Sequence, residues 1–313
     1  MLSVMLQMSV LIAIGIAWQR FAPAHIPALA HRRALTDLVF YILLPALVLD
    51  VMWQAPLNIT SVKISMTALS GIFISLFLMW AIISLLSMSG LNISKPQKGA
   101  LLIAGTFPNS TYLGLPVTAQ VLGDWTQATV LKYDLFACTP MVLTVGVLIA
   151  HYFGDNKSDI HPFRELLKVP PLWALALAGL LNIANMPQPI PVHSALSILG
   201  GGVVPLMLIA LGMSIRWDTI KLKYLPLLLP VSLVSLFIAP LVVFFVASAL
   251  HVPTDTLTVS VILAAMPTMI FGIVLCERYQ LDSGLYAAAV FLTTVLSIGT
   301  LTVWFNLTTS LFA

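Results

Sequence analysis

Ten apolar stretches separated by short polar connections account for most of the chain. They run Leu2–Trp18, Ala34–Trp53, Ile64–Met88, Gln97–Leu122, Ala128–Phe153, Pro171–Ile183, His193–Ile215, Tyr224–Leu250, Thr256–Arg278 and Leu285–Leu311. A bilayer-spanning helix needs about 20 apolar residues, so the pattern predicts an all-α integral membrane protein with ten transmembrane helices, of which the sixth is the shortest. The first stretch could pass for a signal peptide with Ala22-Pro23-Ala24 as its cleavage site. No Lys or Arg precedes it, so the basic leader of a signal peptide is missing, and it reads as a retained helix.

Composition agrees. Of 313 residues 60% are hydrophobic and 8% charged, with a mean hydropathy of +1.04, whereas a soluble domain carries roughly 25% charged residues. This excludes a cytosolic enzyme, a nucleic-acid partner and a disordered scaffold, and leaves no length for a large soluble domain. Cys138 and Cys276 both lie in apolar stretches. They have neither metal-ligand nor disulfide spacing and read as small buried side chains.

The net charge of +3 is small, but its distribution is informative. Arg20, Arg32 and Arg33 follow the first stretch, Lys95 and Lys98 the third, Lys157, Arg164 and Lys168 the fifth, Arg216, Lys221 and Lys223 the seventh, and Arg278 the ninth. Twelve of the 14 basic residues therefore fall in odd-numbered connections, leaving Lys63 at a helix end and Lys132 within the fifth stretch. Cytoplasmic loops collect Lys and Arg. The expected topology is multi-pass in the cell (plasma or inner) membrane with both termini extracytoplasmic.

Two five-helix halves with that topology must be inverted relative to each other, and the sequence carries traces of such a repeat. Leu43-Leu44-Pro45-Ala46-Leu47 matches Val203-Val204-Pro205-Leu206-Met207, with Pro205 lying 160 positions after Pro45. Pro267 lies 159 positions after Pro108, and the turns Gly123-Asp124 and Leu281-Asp282 follow the two breaks. The expected organisation is a first repeat over 1–153, a cytoplasmic linker over 154–170 and a second repeat over 171–313. Inverted repeats with interrupted helices are a recurring build of secondary transporters.

The fourth stretch contains Phe107-Pro108-Asn109-Ser110-Thr111-Tyr112-Leu113-Gly114-Leu115-Pro116, and the ninth contains Met266-Pro267-Thr268 with Gly272 beyond. Each proline removes a backbone donor and clashes with the preceding turn. Gly114 permits unusual backbone angles, and Pro116 suits the first turn of a new half-helix. The break in the ninth stretch reads as the milder one. Both prolines lie about eleven residues from opposite membrane faces, or about 16 Å at 1.5 Å per residue, near the middle of a hydrocarbon core about 30 Å thick. Two broken helices entering from opposite faces can cross there. Irregular backbone at that depth is tolerated only inside protein or along a wet cavity. Free N–H groups at the half-helix ends, with Asn109, Ser110, Thr111 and Thr268 as neutral polar groups, suit a carboxylate.

These residues, with Pro205-Leu206, Ala210-Leu211-Gly212-Met213, Ala265-Met266-Pro267 and Glu277-Arg278-Tyr279, resemble the auxin efflux carrier family of bacterial organic-acid carriers and plant auxin carriers. The ten-span layout extends the likeness over the whole chain. The resemblance implies a scaffold domain and a transport domain, each drawn from both repeats, with elevator-like motion between them. It also implies that segments four and nine cross at the substrate site, that Asn109 contacts the substrate carboxylate, and that the protein is a homodimer. Where plant members carry an asparagine at the start of segment six this chain has Pro170-Pro171, and it lacks their long central loop. Auxin itself is therefore not the expected substrate.

Charged residues inside spans are costly and mark function. Lys132 and Asp134 sit early in the fifth stretch, two positions and about 200° apart on a helix, so they face opposite ways; Lys132 is expected to snorkel outward. Asp134 is a candidate proton carrier or polar anchor. Asp50, near a helix C-terminus where negative charge is unfavourable, needs a partner or water. Asp37 is placed by the dipole at a helix start, and Glu277 with Arg278 reads as an interfacial ion pair. His25, His31 and His161 lie in connections and His151, His193 and His251 at span ends, with no metal-ligand spacing. Gly200-Gly201-Gly202 follows no strand and reads as a close helix approach.

The candidate substrate-binding residues are thus Pro108, Asn109, Ser110, Thr111, Gly114, Pro116, Pro267 and Thr268, with Asp134, Lys132 and Asp50 as coupling or pathway candidates. No cofactor or metal is expected; a coupling ion, H⁺ or Na⁺, is left open. The expected function is a secondary carrier of a small organic anion in the lipid bilayer, the alternative a channel or receptor for such an anion. An enzyme is not expected, since the chain has no nucleophile–base pair, His-Glu-x-x-His or paired intramembrane aspartates.

Overall fold

The computed structural model describes residues 2–21, 27–155, 167–214 and 224–310. His25, Lys157, His161, Arg164, Arg216, Lys221 and Lys223, with Ile215 and most of the expected linker 154–170, lie outside the described residues. Among those described, every regular element is helical and no strand is present; the sole strand-like feature is one isolated bridge between Pro108 and Thr268. Six helices are long and apolar enough to cross a membrane: Ala30–Gln54, Ile59–Met88, Thr126–Phe153, Ile190–Ser214, Leu225–Ala249 and Ser283–Ser310. Pro170–Ile183 and Thr254–Ala264 are shorter apolar helices. In a bilayer each backbone group must be satisfied within its own segment, which is why this composition folds as helices.

The chain forms two compact units. One takes residues 1–58, 111–131 and 164–215, the other 59–110, 132–163 and 216–313. In the first unit, helix Leu2–Phe21 packs on Val203–Ser214 with the backbones touching. A Cβ on Gly15 would overlap the carbonyl oxygen of Ile209, and one on Gly212 that of Ile12, so only glycine allows this approach. Of the triple glycine, Gly200 packs on Leu47 and Gly202 on Leu43, while Gly201 faces open space.

The C-terminal end of Leu44–Gln54 is capped from a distance. Asn182 donates its side-chain amide to the carbonyls of Trp53 (2.7 Å) and Ala55 (3.0 Å), and the Trp53 indole donates to Met186 O at 2.8 Å. These bonds occupy carbonyls that a helix end leaves without partners. Asp50 has partners in the same place: Gln188 Nε2 donates to its Oδ1 at 2.7 Å, and His193 Nδ1 lies 2.8 Å from that oxygen.

In the second unit, Ile59–Met88 packs on Ala239–Ala249, with Gly71 against Val243. It also packs on Lys95–Thr106, where Met79 covers Gly105. The Trp304 indole donates to Leu236 O at 2.8 Å, in the π-helical turn Val234–Ile238. That turn leaves carbonyls out of the ordinary ladder, and the indole takes one of them.

Candidate functional site: two interrupted helices

Helix Lys95–Thr106 starts at a capping box, in which Gln97 N–H donates to Ser94 Oγ (3.4 Å) and Ser94 N–H to Gln97 Oε1 (3.0 Å). It stops at Phe107, whose φ of −106° and ψ of 112° are extended. The cause is local, because the ring of Pro108 disfavours the helical region for the residue before it. The chain resumes as a π-helical turn, Ser110–Gly114, followed by helix Leu115–Leu122. In the ninth segment helix Thr254–Ala264 ends before Pro267 and helix Gly272–Tyr279 follows. This interruption is the longer of the two, against the expectation of a milder break, because the second helix restarts only at Gly272. A Cβ on Gly272 would overlap the ring and hydroxyl of Tyr286.

The two breaks lie against each other in the second unit. Asn109 N–H donates to Pro267 O at 2.8 Å and Met269 N–H to Phe107 O at 3.0 Å, the reciprocal bonds of an antiparallel bridge between Pro108 and Thr268. In an unbroken helix the carbonyl of Ala104 would accept from the N–H four residues on, but that residue is Pro108, which has none. Thr268 Oγ1 donates to Ala104 O instead, at 2.8 Å. Thr268 N–H donates to Thr293 Oγ1 at 3.1 Å, and Tyr286 Oη to Met269 O at 2.7 Å. Each break thus supplies what the other lacks.

The free amides expected at the two breaks are not found at Asn109 or Thr268. The amides of Asn109 and Thr268 and the Thr268 hydroxyl are occupied within the protein and are not available to a solute. Other polar groups lie beside the bridge. The Asn109 side chain is 4% exposed. The Thr106 hydroxyl is buried without a partner. Ser110 Oγ lies 3.8 Å from Cys138 Sγ.

Cys138 belongs to a π-helical turn, Asp134–Cys138, in the fifth segment. Asp134 is buried at 8% exposure and accepts a hydrogen bond from Thr139 Oγ1 at 2.8 Å. Lys132 is 5% exposed and engages other groups of the protein. The side chain is covered by protein, which differs from the outward snorkelling expected of it. Further along the segment, Gly146 brings the backbone to the Phe107 ring, where a Cβ would sit 3.3 Å from Cε2.

Thr111, Gly114 and Pro116 fall in the first unit. The Thr111 hydroxyl is buried without a partner. Gly114 has helical angles of −64° and −46°, so no special freedom is used there, contrary to expectation. Pro116 does occupy the first turn of its helix. Asp50, the third pathway candidate, is likewise in the first unit and is held by Gln188 and His193. Glu277 and Arg278 close helix Gly272–Tyr279, with the Arg278 guanidinium over the Tyr279 ring.

Sequence reasoning missed Thr293, Tyr286, Thr106 and Cys138. Tyr286 and Thr293 are seven residues apart in Ser283–Ser310, two turns and therefore one helix face. That spacing was the available signal for a polar face towards the ninth segment.

A family profile described as membrane transport protein matches residues 156–305. The chain is 31% identical over 204 residues to an uncharacterized transporter of Methanothermobacter thermautotrophicus, covering 65% of this chain and 66% of that protein. It is 23% identical over 279 residues to an uncharacterized transporter of Methanocaldococcus jannaschii, covering 88% and 89%. With six membrane-length helices and paired breaks at Pro108 and Pro267, the chain is a multi-pass membrane protein whose residues 156–305 match the membrane transport, or auxin efflux carrier, family.

Proposed function

We propose that this protein is a secondary carrier of a small organic anion, working by alternating access of an elevator kind. In this reading the chain spans the bilayer ten times as two inverted five-span repeats with both termini extracytoplasmic, and segments four and nine cross at the substrate. The protein works as a homodimer, the first unit as scaffold and the second as transport body. The observation that carries the proposal is the reciprocal bridge of the two breaks at Pro108 and Thr268. Such backbone inside an apolar protein costs several kcal/mol unless its polar groups are matched, and here they are matched by specific side chains. Beside the bridge lie the buried Asn109 side chain and the Thr106 hydroxyl, which is buried without a partner.

The carboxamide N–H₂ donates to one carboxylate oxygen of the solute, and the first amides of the turn beginning at Ser110, which have no intrahelical acceptor, receive the other. Thr111, Gly114 and Pro116 continue that half-helix. A neutral donor set binds an anion without an opposing charge and can release it again, as a carrier must. The likeness to proteins named only as uncharacterized transporters supports transport and leaves the acid open.

Counterflow in proteoliposomes tests this: vesicles loaded with one unlabelled acid from a panel of dicarboxylates and aromatic acids should accumulate the labelled acid. Asn109→Ala should lose at least tenfold in rate while the protein remains folded and monodisperse. Unchanged counterflow in Asn109→Ala removes that residue from the site. Single-channel conductance in place of saturable counterflow would favour the channel alternative.

A further inference from the structure

The fifth segment touches the break of segment four twice, through Gly146 on the Phe107 ring and Cys138 on Ser110. One turn before Cys138 is the buried carboxylate of Asp134. In an α-helix, residues 134 and 139 would lie about 140° apart. The π-helical turn instead places a residue over the one five positions before it. Thr139 accordingly donates its N–H to Asp134 O and its hydroxyl to Asp134 Oδ2 at 2.8 Å. Four positions, about 6 Å along the axis at 1.5 Å per residue, separate Asp134 from Cys138, the residue that meets Ser110.

We infer that Asp134 is the coupling group of the carrier, taking up one proton with each carboxylate anion. The inference rests on the carrier reading above. An ionised Asp134 repels an anion held at Asn109 and Ser110. At about 10 Å and an effective dielectric constant of about 20 the repulsion weakens binding on the order of tenfold. Protonation removes it, and by reciprocity the bound anion favours protonation to the same degree. The proton comes from water on the side where the anion enters and returns to water on the side where it leaves, as an O–H bond formed and broken at Asp134, so no net charge moves with a monocarboxylate.

The other titratable groups nearby are Lys132, Tyr133 and Cys138 on the same segment. Ile59–Met88, packed on this turn, carries only Lys63, and Lys95–Thr106 only Lys95 and Lys98 in its first turn. A proton suits this place better than Na⁺. The carboxyl is flanked by a hydroxyl and a thiol, and soft sulfur is a poor ligand for a hard cation.

The test uses full-length protein in proteoliposomes and an acid that gives counterflow. Wild type should accumulate it when a pH gradient is imposed, and its counterflow KM should rise about tenfold as pH is raised through the titration of Asp134. Asp134→Asn, neutral at every pH, should keep counterflow with a low, pH-independent KM and lose acceleration by the gradient; Asp134→Glu should restore both. Gradient-driven uptake and pH-dependent KM persisting in Asp134→Asn would overturn the inference. So would a folded Asp134→Asn without counterflow, because the neutral form is the one that must bind the anion, and so would wild-type uptake driven by a Na⁺ gradient alone. Wild type without counterflow of any acid overturns the carrier reading itself, whatever Asp134 does.

Discussion

Replacing Thr268 by Val isolates the contact on which the bridge of the two breaks depends. The exchange keeps the branched shape and removes only the hydroxyl that donates to Ala104 O at 2.8 Å. Ala104 and Thr268 are both fully buried, so water cannot take the place of the lost donor. A buried acceptor left without a partner costs about 1–3 kcal/mol. Hydrogen bonds between membrane helices average only about 0.6 kcal/mol, because the separated helices find other partners. That escape is closed here, since the N–H that would otherwise serve Ala104 O belongs to Pro108 and does not exist.

The upper range therefore applies. At roughly 2 °C per kcal/mol for a chain of this size, Thr268→Val should melt about 2–6 °C below wild type in detergent, followed by the fraction of protein that stays monodisperse on heating. Thr268→Ser should recover most of the loss. Thr294→Val is the control: its hydroxyl donates within its own helix to Val290 O at 2.7 Å, where the backbone keeps its partner, and its shift should be under about 1 °C. Equal melting temperatures for Thr268→Val and Thr294→Val would refute the assignment of the hydroxyl as the substitute for the missing proline donor.

Gly272→Ala should destabilise by about 1–3 kcal/mol, since the new methyl meets the Tyr286 ring and hydroxyl, whereas Gly299→Ala, which faces open space, should be neutral or stabilising; equal thermal shifts would show that Tyr286 yields. Asn182→Leu should cost about 1–3 kcal/mol by uncapping Trp53 O and Ala55 O, read as a lower melting temperature, and a wild-type value would mean that water replaces the cap.

The fold was legible in the sequence as far as the physics is local. Long uncharged apolar runs must become helices in lipid, and the described helices overlap the expected stretches, several of them starting earlier, as at Ala28 and Ile59. Pro108 and Pro267 break their segments by ring sterics and a missing N–H, which no neighbour can undo. Other readings failed where one residue's character is set by distant ones. Gly114 looked like a position of special freedom, yet it is helical because the break ends at Asn109, where the bridge to Pro267 releases the chain. Lys132 was expected to reach for the headgroups, and its burial depends on which helices surround the fifth segment, information that a hydropathy pattern does not contain.

The sequence by itself determined that the chain lives in a membrane, where its helices run and where two of them are interrupted, because each follows from the solvation and sterics of a few consecutive residues. The tertiary structure alone decided what those interruptions do for one another. Thr268 serves a carbonyl 164 positions earlier and Thr293 an amide 25 positions before it. The pairing of a donor with an acceptor across such separations depends on how helices pack, and no local propensity encodes it.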